Sequence, residues 1–160
     1  MSENGTSTEI VEAFDHAQRD AIQLLGDVIR QLEVGMSEID IGELAEHRAQ
    51  AYGFSGWFHP PEIRFDGNLQ RNHKPSHRKT LKAGTLVEVD LGPATDLAFG
   101  DVGVSLAFGQ EDQPRFVQDA RELCVATCGF ANRGKCVGEL FVFADAYARN
   151  RSMSLGDSKA

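Results

Sequence analysis

Cysteine is scarce, long apolar runs are missing, and positive charge is outweighed by negative; each shortage removes a class of protein. There are three cysteines, Cys124, Cys128 and Cys136. An odd number in a chain with no visible leader points to reduced thiols instead of a disulfide framework. Cys124 and Cys128 would share one helix face. No further His or Cys follows at zinc-site spacing, so core packing is expected for them. No run of 18 apolar residues occurs, which predicts no membrane-spanning helix. The opening MSENGTSTE lacks a basic region followed by an apolar one, so no signal peptide is read and a cytoplasmic location is the default. Lys and Arg number 16 against 24 Asp and Glu, a formal net charge of −8. That balance disfavours nucleic acid and anionic membranes as partners. What remains, with 41% hydrophobic and 25% charged residues over 160 positions, is an ordinary globular composition of single-domain size.

The periodicity of the apolar residues organises the chain. From Ile10, residues Phe14, Ala17, Ala21, Leu24, Leu25, Val28, Ile29 and Leu32 recur at helical steps. Thr6 and Glu9 are placed to form a capping box at the start, and residues 1–9 ahead of the pattern are read as disordered. Gly35 ends this helix, Ser37 caps a second, and Gly53 stops that one near Tyr52. A short strand at Glu62 to Phe65 with a turn at Asp66-Gly67 is expected next. The period then changes to two: Val87, Val89 and Leu91 alternate with Glu88 and Asp90. A second strand-like run covers Leu97 to Phe108. Helical spacing returns from Phe116 to Cys128, breaks at Gly134, and resumes from Val137 to Ala148.

The two helical pairs are related by a shift of 99 residues. Asp20, Ala21 and Leu24 fall on Asp119, Ala120 and Leu123, Gly35 falls on Gly134, and Ala45 and Ala49 fall on Ala144 and Ala148. This predicts a degenerate repeat of helix, Gly, helix, then strands. The first unit runs from about 10 to 108 and the second begins at about 109. Strands of the second unit would lie beyond residue 160, so the expected fold is incomplete at its C-terminus.

Two features carry chemistry. The segment 54–80 mixes aromatics, prolines and three histidines, the composition of a loop that lines a site. Within it Phe54, Trp57 and Phe58 are candidate pocket walls or packing residues, and His59 is a candidate for the mouth of a site or for a loop cap. The second feature is VEVDLGPATDLAFGD, residues 87–101. With the hairpin centred between Thr95 and Asp96, Asp90 faces Asp101 across two strands. Like charges directly opposite are destabilising unless a cation lies between them, and hard carboxylate oxygens suit divalent metals. Aspartate beside a Gly-Pro turn is also ordinary turn chemistry, so the hairpin alone leaves both readings open. His16, His47 and His77 read as solvated.

A helix pair, a loop holding a His, then V-x-V-D-L-G and a second Asp eleven residues on, followed by a strand ending at Gly109, resembles the first half of the M24 metallopeptidases. These include the methionine aminopeptidase, Xaa-Pro peptidase and creatinase group. The resemblance covers roughly residues 10–155. It implies the α+β pita-bread fold, helix pairs packed on antiparallel sheet, and the 99-residue repeat agrees with that. It implies that Asp90 and Asp101 bind metal, and that His73, seventeen residues before Asp90, contacts substrate and assists proton transfer. The implied cofactors are two divalent ions (Mn, Co, Fe or Zn), and the implied substrate is a peptide or small amide. The activity implied is removal of N-terminal residues, with Trp57, Phe58 and His59 as a candidate substrate pocket. This sequence departs from the family pattern after Asp101, where Val102, Gly103 and Val104 stand in place of the usual Thr or Ser. The His and two Glu that complete the family's metal site match no position here. The alternatives are therefore a catalytically inactive module that binds protein, and a half that forms a homodimer.

Overall fold

The computed structural model describes residues 3–66, 74–131 and 134–155. The chain divides into two units, residues 1–111 and 112–160, each taken by itself.

In the first unit, α1 (Glu3–Arg30) and α2 (Glu38–Ala51) pack on one face of a three-stranded antiparallel sheet. Ala17, Ala21, Leu24 and Val28 of α1 are buried, as the helical spacing requires. The helix begins at Glu3, ahead of the Ile10 expected, so it takes in residues 3–9 of the stretch read as disordered. Thr6 and Glu9 lie inside it instead of capping it. Ser37 caps α2: its Oγ accepts from the Asp40 N–H at 3.2 Å, and the Asp40 carboxylate accepts from the Ser37 N–H at 2.7 Å. Asp27 of α1 ties the helices together by accepting from the Tyr52 hydroxyl at 2.5 Å and from Arg48 at 2.8 Å. Glu38 is 2% exposed and accepts from the N–H groups of Phe65 and Ser76, both at 3.1 Å. It thereby joins the start of α2 to the end of the first strand.

The strands are β1 (Gly56–Phe65), β2 (Leu86–Ala94) and β3 (Val102–Ala107), in that spatial order. Val87, Val89 and Leu91 of the central strand are fully buried against the helices. Burying an aliphatic side chain of that kind contributes about 1.5–3 kcal/mol. Their alternation turns Glu88 and Asp90 to the opposite face. β1 starts six residues earlier than the Glu62 expected from sequence. Pro60 and Pro61 disguise it, because proline has no N–H to donate to a ladder; an edge strand with register shifts on both sides of His59 accommodates them. Asp66 makes the expected turn with φ +56°, and its partner Gly67 lies outside the described residues.

The hairpin register differs from the expected one by two. Asp90 pairs with Gly103 and Leu91 with Val102, and an isolated bridge joins Ala94 to Phe99. The turn is closed by Thr95, whose N–H donates to the Ala98 carbonyl at 2.8 Å and whose Oγ1 accepts from the Ala98 N–H at 3.1 Å. This side-chain closure moves the centre to between Asp96 and Leu97. Asp90 and Asp101 therefore do not face each other directly, and β3 begins at Val102 instead of Leu97.

In the second unit, α3 (Arg115–Ala131) and α4 (Val137–Arg149) form a helix pair in which Phe130 stacks on Phe143 with centroids 4.5 Å apart. The 99-residue offset relates details as well as pattern. Gly35 (φ +96°) maps to Gly134 (φ +70°), the N-cap Ser37 to the N-cap Cys136, and Asp40 to Glu139, which also accepts from the N–H of its N-cap. Cys124, Cys128 and Cys136 are all exposed, so the core packing expected of the first two is not observed.

Candidate metal centre

The site grows out of two short repeats in the hairpin, Asp90-Leu91-Gly92 and Asp101-Val102-Gly103. Residues two apart on a strand share a face. Continuing the ladder one step past Leu91 and Val102 sets Gly92 opposite Asp101, just as Gly103 stands opposite Asp90. The two aspartates occupy one diagonal of a four-residue block and the two glycines occupy the other. The glycines put no side chain of their own into this block, and the His59 ring lies over Gly92. A Cβ on Gly103 would lie 3.3 Å from Asp90 Oδ1.

β1 adds the third side of the site. His59 pairs with Gly92, and its Nε2 lies 3.7 Å from Asp101 Oδ1 and 3.9 Å from Asp90 Oδ1. One ligand atom from each of His59, Asp90 and Asp101 falls within 4.8 Å of the others. Arg64, on the same face of the sheet, is engaged by Glu62 and, at 3.2 Å, by Glu88. Among the described residues, His59 is the basic group that meets the aspartate pair. Burial pushes the Asp90 carboxyl above the usual carboxylate range; His59 opposes this, while Asp101, Glu62 and Glu88 add to it. A half-buried acid crowded by other acids is a place where a cation is favoured.

Asp101 is held from a distance in sequence. The Gln18 side chain on α1 donates to the Asp101 carbonyl at 2.9 Å and accepts from the Asp101 N–H at 3.0 Å. Gly100 lets α1 come this close, since a Cβ there would sit 2.5 Å from Ala21 Cβ and 2.7 Å from the Ala17 carbonyl oxygen. Beside the carboxylates is an aromatic wall. Phe58 stacks on Phe99 with centroids 4.3 Å apart, Phe14 meets Phe99 edge-on at 5.2 Å, and Phe58 meets His59 at 5.9 Å. Phe58 is 60% exposed. Trp57 instead packs against the core and Phe54 belongs to it. His73 lies outside the described residues.

The family model for metallopeptidase family M24 matches residues 12–157. The chain belongs to this family. Solved structures agree in fold. The X-Pro aminopeptidase of Thermotoga maritima is matched with a TM-score of 0.73 and 16% identity, over 90% of this chain and 42% of that one. The prolidase of Thermococcus sibiricus gives 0.75 and 16%, over 91% and 40%, and the prolidase of Pyrococcus furiosus gives 0.71 and 17%, over 89% and 43%. This M24 chain thus has the α+β pita-bread architecture and spans about two-fifths of the length of these neighbours. No curated protein matches it in sequence. M24 proteins generally use divalent metals, and the donor set here fits such an ion: two carboxylates and an imidazole converge beside two glycines, one of which seats the imidazole ring.

The sequence alone puts forward Asp90 and Asp101, which the structure brings together with His59. It left His59 undecided and missed Gln18. The Gly92 and Gly103 positions were visible as a doubled Asp-x-Gly, a signal whose meaning depends on the register.

Proposed function

We propose that this chain carries part of a dinuclear, metal-dependent M24 hydrolase that removes N-terminal residues from peptides, as an aminopeptidase or Xaa-Pro peptidase. The observation that carries the reading is the aspartate diagonal, two carboxylates brought together by a register that spends its other two positions on glycine. Asp90 and Asp101 would hold divalent metal, whose chemistry is to polarise a peptide carbonyl and activate water. Gln18 fixes the backbone of Asp101, so its carboxylate is presented without reorganisation. Phe58 and Phe99 offer an apolar wall to the substrate side chain beside the carboxylates. His73 would donate a hydrogen bond from its imidazole to the substrate, the role its offset from Asp90 implies.

The second reading, an inactive module that binds protein, is favoured by Val102, Gly103 and Val104 after Asp101, where the resemblance leads one to expect Thr or Ser. Calorimetric titration of the chain with Mn²⁺ separates the two. Saturable binding that weakens at least about tenfold in Asp90→Asn and in Asp101→Asn is expected, from the loss of a charged ligand. No binding by the unaltered chain, or equal binding by both variants, would remove the metallohydrolase reading. Release of the N-terminal residue from Xaa-Pro peptides by the metal-loaded protein would remove the inactive one.

A further inference from the structure

We infer that His59 is a nitrogen ligand of this metal centre, so that the first sheet by itself assembles a site of one imidazole and two carboxylates. The inference rests on the reading of Asp90 and Asp101 as metal ligands. Three independent features of His59 support it.

The first is its seat. A Cβ on Gly92 would lie 2.6 Å from His59 Cδ2, 2.8 Å from Nε2 and 3.1 Å from Cγ. Only a glycine under the ring permits this position. The register shifts between Trp57 and His59 and between His59 and Glu62 re-aim the side chain along β1, which is what bulges do beside sites.

The second is the orientation of the ring. His59 Nδ1 lies 3.0 Å from the Pro60 carbonyl oxygen. A carbonyl only accepts, so Nδ1 carries the hydrogen, and in the neutral ring the lone pair is on Nε2. Metal-bound histidines commonly hold their other nitrogen this way, which sets the tautomer and aims the ligand.

The third is spacing. Nε2 stands 3.7 and 3.9 Å from the two aspartate oxygens. These distances exceed any hydrogen bond, and a charge-assisted bond from a protonated imidazole would draw the atoms to about 2.7–2.9 Å. They are shorter than twice a metal–ligand bond of about 2.0–2.2 Å, so one ion can touch the nitrogen and either oxygen. The ring is set for an ion between the groups, not for a direct ion pair.

Imidazole favours Co²⁺ and Zn²⁺ over Mg²⁺ and Ca²⁺, which prefer oxygen. The test is titration of the full 160-residue chain with Co²⁺, followed by visible absorption and calorimetry, with Mg²⁺ in parallel. His59→Ala is expected to weaken Co²⁺ binding at least tenfold and to change the Co²⁺ spectrum, while Mg²⁺ binding stays within about twofold. Gly92→Ala, which displaces the ring without removing it, is expected to give the same pattern and serves if His59→Ala does not fold. Co²⁺ affinity and spectrum unchanged in both variants, with binding lost in Asp90→Asn and Asp101→Asn, would overturn the role of His59 and leave the aspartate reading standing. Absence of Co²⁺ binding by the unaltered chain would overturn both.

Discussion

Gly100 is the residue whose replacement by alanine tests most directly how the site is held. It sits immediately before Asp101, under α1. A Cβ built there meets Ala21 Cβ at 2.5 Å and the Ala17 carbonyl oxygen at 2.7 Å. Neither obstacle can rotate away, because one is a methyl on an alanine and the other is helix backbone. Carbon atoms pack at about 3.5–4.0 Å, so α1 and the hairpin must separate by roughly 1 Å or more. Ala17, Ala21 and Leu24 are buried along this seam, and overpacking of that kind costs about 1–3 kcal/mol. At the upper part of that range the thermal midpoint falls by roughly 8–12 °C, taking about 4 °C per kcal/mol for a unit of this size. The matched control is Gly42→Ala in the middle of α2, where nothing lies within 4 Å of the added methyl; it should raise stability by up to about 1 kcal/mol through helix propensity. Thermal melts followed by circular dichroism read both. A double variant, Gly100→Ala with Ala21→Gly, removes the first clash and keeps the second; Ala21→Gly itself costs about 1 kcal/mol of helix propensity, so the double variant should lose less than the sum of the two single losses. If Gly100→Ala melts with the unaltered chain, or the double variant is worse than the sum of the singles, the close approach of α1 does not set the position of Asp101.

Two further outcomes follow from the same geometry. Gln18→Leu removes both hydrogen bonds to the Asp101 backbone; urea unfolding should show a loss of about 1–2 kcal/mol, at one ordinary hydrogen bond each, and Mn²⁺ affinity should fall several-fold, whereas no change in either would dismiss the clamp. The Tyr52 hydroxyl, Arg48 and Arg30 hold the Asp27 carboxyl well below the usual carboxylate range. A depressed folded-state pKa gives stability that is present above the ordinary value near 3.9 and is lost as pH falls below it towards the folded-state value. The urea midpoint of Asp27→Asn should therefore lie furthest below that of the unaltered chain at neutral pH, with the gap closing below about pH 4; a gap independent of pH would refute this account.

Much of the architecture was legible because it follows from local chemistry. The helical spacing of Ala17, Ala21, Leu24 and Val28, the Ser37 cap and the Gly53 stop reproduce α1 and α2 closely, and the alternation of Val87, Val89 and Leu91 gives both β2 and its buried face. The extent of β1 was not legible, because Pro60 and Pro61 argue against a strand and only an edge position with bulges overrides them. The exposure of Cys124 and Cys128 was not legible for a similar reason: periodicity shows that residues share a helix face, but not which face is covered.

The sequence by itself determined the carboxylate pair, its eleven-residue spacing and the family these imply, since motif chemistry is carried by residue identity and separation. Tertiary structure decided how the pair is used. Closure of the turn by Thr95 shifts the register by two, converting Asp90 and Asp101 from facing residues into a diagonal with Gly92 and Gly103 between them. The separate, bulged pairing of β1 with β2 places Gly92 under the His59 ring, and a helix more than 80 residues away in sequence supplies Gln18 to hold Asp101. The physical reason is that a pleated sheet assigns neighbours by pairing across strands. One change in the turn therefore reassigns every cross-strand partner, and no local reading of either strand contains that choice.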